Sequence, residues 1–117
     1  MSRKSSHETL LETFIDATVA RHEAMLKSDF RRANRFYRKS VAAYRLLVER
    51  GDRTLLVNLL ENPNASVRCA SATYLLSTME NRALEVLRSL ARGDYPVASF
   101  EAKGILHEWE KGTLDVP

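Results

Sequence analysis

The second half of this sequence overlays on itself at a shift of 30 residues, and that self-similarity constrains the fold more than any other feature. At that shift Leu60 falls on Leu90, Val67 on Val97, Ala72 on Ala102, Leu75 on Ile105, Leu76 on Leu106 and Met79 on Trp109. Helical periodicity alone aligns apolar positions, but here the turns coincide as well, with Asn62-Pro63-Asn64 falling on Arg92-Gly93-Asp94. Each unit therefore reads as a helix, a tight turn and a second helix in which a small alanine admits a close neighbour. A helix pair of this size cannot cover its own apolar face, so such units stack.

The remaining chain carries the helical period too, and nowhere the alternation of a strand. A first helix is expected from Ser6 to Lys27, with Ser6 as N-cap and Leu10, Phe14, Ala17, Thr18, Arg21 and Met25 recurring at three- and four-residue steps. Asp29 is placed to cap a second helix, from Phe30 to Arg50, that Gly51 ends by accepting a positive φ. On its wheel Ala33, Phe36, Tyr37, Ser40, Val41, Tyr44, Leu47 and Val48 share one arc, opposite Arg31, Arg35, Arg38 and Arg45. Asp52 caps a short third helix to Glu61, and the fourth, from Ala65 to Thr78, is apolar nearly all round, so neighbours should cover it on two sides. Asn81 is expected to cap the fifth helix, from Arg82 to Arg92. Pro96 should hold the first position of the sixth, which runs to Lys111 before Gly112.

The expected fold is all-α, an α–α superhelix of about six helices in one domain spanning 1–117. Residues 5–50 form a longer N-terminal helical pair that caps the stack; 52–79 and 81–111 are the two short hairpins, and 112–117 a loose tail. With 44% hydrophobic and 28% charged residues, the chain has the composition of a globular protein rather than a disordered one. Cys69 is the single cysteine, so no internal disulfide forms, which fits a reducing compartment. No secretory leader and no apolar run of membrane-spanning length is visible, and the expected location is cytoplasmic.

The run Asn62-Pro63-Asn64-Ala65-Ser66-Val67-Arg68, followed by small residues and then Leu75-Leu76, resembles a HEAT-like repeat of the short, bilin-lyase-type form. The whole chain resembles an uncharacterised bacterial family known as domain of unknown function number two thousand and nineteen. The carriers are the Val67-Arg68 region and the closing run from Phe100 to Leu114. The resemblance implies a helical-repeat fold and names no catalytic group. In such repeats a residue like Arg68 ties turns together through hydrogen bonds to carbonyls or carboxylates. The first fifty residues depart from the repeat pattern.

No catalytic constellation is legible. His22-Glu23 and His107-Glu108 each begin like a zinc-protease motif, but Leu26 and Lys111 stand where its second histidine belongs. Cys69 sits among core positions, the carboxylate pairs lie on solvated helix faces, and the four glycines are too scattered for a phosphate loop. The expectation is therefore a non-catalytic module with no metal and no cofactor.

Two surfaces invite a partner. Residues 1–50 hold eleven Lys/Arg against six Asp/Glu, whereas 51–117 hold seven against nine, so the basic charge is concentrated in the first half. Its densest part is the arginine face of the second helix. Phe36, Tyr37 and Tyr44 lie on the apolar side, leaving no base-stacking platform between the arginines. The second surface is on the sixth helix, where Phe100 lies off the apolar stripe beside His107, and Gly104 leaves a notch that either another helix or a partner fills. These features point to protein–protein binding, as an adaptor or inhibitor-like partner of an acidic protein. Nucleic-acid binding through the second helix is the alternative, and a homodimer is a third use of the same surfaces.

Overall fold

The computed structural model of the protein describes residues 6–51 and 53–116, apart from the side chain of Ser6. The described residues are all helical or irregular, with no strand. In chain order they form α1 (Ser6–Leu26), α2 (Phe30–Glu49), a 3-10 helix (Arg53–Glu61), α3 (Ala65–Leu75), α4 (Glu80–Arg92) and α5 (Ala98–Lys111). The expected six helices are all present. Their contacts divide the chain into two compact units, Met1–Leu56 and Val57–Pro117.

The first unit is a helical hairpin of α1 and α2. Phe14, Ala17, Thr18 and Ala24 are buried on α1, against Ala33, Ser40, Val41, Ala43, Tyr44 and Leu47 on α2. The small residues at 17, 24, 33 and 43 let the two helices approach closely, and Thr18 returns its hydroxyl to the Phe14 carbonyl at 2.7 Å. The turn between them is unusually economical. Ser28, at φ 56°, closes α1 with its N–H on Met25 O at 3.0 Å, while Asp29 N–H reaches back to Ala24 O at 2.9 Å. Asp29 then caps α2, its carboxylate accepting from Arg32 N at 3.2 Å.

In the second unit α4 packs against both α3 and α5, and α3 also touches α5. The 3-10 helix brings Leu59 and Leu60 into this unit, both buried. The turn after it is held by side chains. Asn62 Oδ1 accepts from Asn64 N at 2.9 Å, and Asn64 Oδ1 caps α3 by accepting from Ser66 N at 2.9 Å and Val67 N at 3.1 Å. Arg68 donates from Nη1 to the carbonyls of Asn62 (2.7 Å) and Pro63 (3.1 Å). Replacing Asn64 with alanine removes an acceptor from two helix-terminal N–H groups and is expected to lower stability by about 1–2 kcal/mol, read by chemical denaturation.

α3 is the enclosed helix, with Val67, Cys69, Ala72, Tyr74 and Leu75 buried. The residues paired by the 30-residue shift keep their environments closely at Leu60 with Leu90 and Ala72 with Ala102, all buried. Ile105 and Leu106 are only half-buried where their counterparts Leu75 and Leu76 are fully enclosed, and Trp109 is half-buried like its counterpart Met79. A terminal helix has a neighbour on one side and water on the other.

Several helix ends differ from expectation. α3 stops at Leu75, three residues early, and passes into turns. Asn81 does not cap α4: the helix begins at Glu80, behind Met79, which contributes no side-chain bond. Pro96 is not the first residue of α5. The chain turns there through Val97 at φ 67°, with Ala98 N–H on Pro96 O at 2.7 Å, and the helix starts at Ala98. A positive φ is strained for a β-branched residue. The expected capping by the side chains of Ser6 and Asp52 lies outside the described residues.

Candidate functional site

α2 is regular from Phe30 to Glu49, so residues at steps of four, three, four and three stay on one line. Arg31, Arg35, Arg38, Ala42 and Arg45 occupy that line and are all exposed. At 1.5 Å per residue the four arginines mark out a row about 21 Å long. Among the described residues no carboxylate forms an ion pair with any of the four. The acidic residues of α1 at Glu12, Asp16 and Glu23 form no ion pair with them.

Aromatic rings flank the row, which the wheel alone does not suggest. Phe36 is half-buried, and the guanidinium groups of Arg32 and Arg35 lie 5.4 and 5.8 Å from its centroid. On the other flank Tyr37 remains 43% exposed beneath Arg21, at 5.7 Å, and Phe30 is 57% exposed two turns earlier. Phe36 and Tyr37 are therefore not wholly internal, although their place on the apolar arc implied that they would be. Three of the contacts are cation–π pairs that fix arginines against the helix surface. Phe36 and Tyr37 already carry a guanidinium, so their faces are not open platforms for a base.

The second expected surface is on α5. Phe100 is 81% exposed, and Gly104 and His107 are exposed on the same line of the helix. The notch is real and no part of the described chain enters it: a Cβ built on Gly104 meets nothing within 4 Å. Gly104 thus lowers helix stability with no packing gain among the described residues. Substituting alanine at Gly104 is expected to raise unfolding free energy by about 1 kcal/mol, seen as a higher midpoint in urea.

The structure gathers Arg31, Arg35, Arg38 and Arg45 on one element and Phe100, Gly104 and His107 on another. Cys69 is buried. Among the described residues no three His, Cys, Asp or Glu side chains are grouped to hold a metal ion. No helix among them is long and apolar enough to cross a membrane. The exposure of Tyr37 was missed because an apolar arc on a wheel does not say how far the neighbouring helix extends over it.

Comparison with known proteins adds a family and a fold. The model of a family described as Domain of unknown function (DUF2019) matches residues 8–109. The crystal structure of the protein RPA1889 from Rhodopseudomonas palustris CGA009 is similar at 26% identity and a TM-score of 0.85, over 97% of this chain and 96% of that one. No curated protein matches the chain.

Proposed function

The chain belongs to the DUF2019 family, a domain of unknown function, and from that premise we propose that it is a non-catalytic module that binds an acidic surface of another protein. The observation that carries this reading is the row of four exposed arginines on α2 without carboxylate partners among the described residues. Like charges held at helical spacing repel one another, by a few tenths of a kcal/mol per neighbouring pair. An incoming acidic surface relieves that repulsion. The row is arginine rather than lysine and is bordered by Phe30, Phe36 and Tyr37, and arginine with aromatic residues is the composition of protein interfaces. The forked guanidinium also grips carboxylates in pairs of hydrogen bonds.

The HEAT-like reading belongs to the same proposal. Supporting it are the matched burial of Leu60 with Leu90 and of Ala72 with Ala102, and the Arg68 bonds to the carbonyls of its own turn. In this reading residues 52–111 are two HEAT-like hairpins serving as a scaffold, while α2 carries the contact.

Nucleic-acid binding stays as the rival reading, because the same row can neutralise phosphates. A fluorescence-anisotropy titration separates the two. The protein is titrated into a labelled glutamate-rich helical peptide and into a random-sequence DNA duplex, each at 50 and 200 mM salt. The proposal expects saturable peptide binding, with the duplex bound more weakly at the higher salt. Tight duplex binding without peptide binding would replace it by the rival.

A further inference from the structure

Arg68 does more than tie its turn. Its Nη1 is committed to the Asn62 and Pro63 carbonyls, and its guanidinium lies 5.3 Å from the centroid of the Tyr95 ring. Tyr95 is itself placed by local structure. Its N–H donates to Ser99 Oγ at 2.9 Å, and its ring passes so close to Gly93 that a Cβ there would meet Cε2 at 2.6 Å. The plane and position of the guanidinium are thus fixed from two sides. Its remaining edge, Nε with Nη2, has no hydrogen-bond partner among the described residues. That edge is the one that grips a carboxylate through two parallel bonds.

Arg68 lines a cleft of about 190 Å³ within the second unit. Val86 provides its apolar side with the edges of the buried Leu60 and Leu90 at its floor, and Arg82, Glu85 and Ser89 are its other polar groups. Arg82 is drawn to Glu61 through Nη2 at 3.3 Å, with both side chains largely exposed, so this pair is weak and easily exchanged. Glu85 bears on the identity of the ligand. A second negative charge in so small a space repels a dianion such as phosphate, whereas a single carboxylate held by two arginines is tolerated.

We propose that this cleft is a binding site for a small monocarboxylate with a branched apolar body, its carboxylate on the free edge of Arg68 and its body against Leu60, Val86 and Leu90. Arg82 supplies a second positive charge and Ser89 a hydroxyl. The site lies in the second unit and is independent of the arginine row, so either reading can fail without the other.

The test follows the Arg68 Nε–Hε resonance and the backbone amides of residues 82–90 by NMR in the full chain. The probes are 3-methylbutanoate, its neutral counterpart 3-methylbutanol and inorganic phosphate. Small ligands of this size bind weakly, so saturation is expected at roughly millimolar 3-methylbutanoate. Much smaller shifts are expected with the alcohol and with phosphate. Because Arg68 also holds its turn, the deciding variants are Arg82→Gln and Glu85→Gln, both at exposed positions. Arg82→Gln should weaken binding several-fold, and Glu85→Gln should tighten it several-fold. A dipeptide ending in leucine with a free carboxylate, compared with its amide, distinguishes a free acid from a chain terminus as the source of the group. Equal shifts with acid and alcohol, preference for phosphate, non-saturating shifts, or no response to the two variants would each overturn the proposal.

Discussion

Replacing Leu87 with alanine is expected to lower the unfolding free energy by about 3–4 kcal/mol and the midpoint temperature by on the order of 15 °C. Leu87 is 0% exposed on α4, the helix that packs against both α3 and α5. Its side chain is therefore enclosed from two directions, and the surrounding backbone is helical and cannot collapse far into the space left behind. The loss combines the transfer of the removed methyl groups with the cavity they leave, which places buried Leu→Ala changes at about 2–5 kcal/mol. Total stabilities of about 5–15 kcal/mol make that a large fraction. Arg88→Ala, one residue on and exposed, is the control and is expected to stay within about 0.5 kcal/mol of the parent. A Leu87→Ala loss below about 1 kcal/mol would mean that α4 is not the centre of a packed unit.

The second large effect concerns binding. Neutralising Arg31, Arg35, Arg38 and Arg45 together to glutamine is expected to reduce affinity for the acidic helical peptide by at least about tenfold at 50 mM salt. Each arginine is solvent-exposed, so each contributes modestly, and the sum over four exceeds the spread of single surface changes. Stability should not fall, because the row makes no ion pair among the described residues and four mutually repelling charges are removed. Circular dichroism and thermal melting check that half. The parent's affinity should also weaken with salt more steeply than the variant's, since screening acts on the charges removed. If the variant binds the peptide as the parent does, the contact lies elsewhere on the protein.

Most helices were legible because their apolar residues recur at helical steps and because two boundaries are written in side-chain chemistry. Asp29 caps α2 as its residue type and position imply, and Asn62-Pro63-Asn64 breaks the chain where a proline forces the preceding residue out of the helical region. The ends that were misplaced lack such signals. α4 starts behind Met79, whose side chain offers no acceptor, so the nearest asparagine, Asn81, drew the boundary inward. α5 starts after a turn through Val97 that no residue preference favours. There the arrangement is set by Tyr95, folded over Gly93 and tied to Ser99. The break between α1 and α2 falls at Ser28-Asp29, where the expected helices end and begin, but the positive φ at Ser28 was not legible, because serine rather than glycine occupies it.

The candidate surfaces were legible to different depths. The arginine row follows from helical geometry alone, and the structure places all four side chains in the open. The exposure of Phe100 and Gly104 was likewise implied by their distance from the apolar stripe. The cleft beside Arg68 was not, because it joins a turn, α3 and α4 through the depth of each side chain, and periodicity carries no information on that. Aromatic residues gave the poorest reading. Phe36 and Tyr37 sit at the border of the buried arc, where a long side chain lies half in water and a nearby guanidinium covers it.

A map of backbone amide shifts on adding the acidic helical peptide to the full chain tests the central claim most directly. Recognition through α2 predicts saturable shifts along residues 30–46, strongest at Arg31, Arg35, Arg38, Ala42 and Arg45, and reached in the four-glutamine variant only at a much higher peptide concentration. Shifts that leave α2 untouched, or that the variant reaches at the same peptide concentration as the parent, would contradict it.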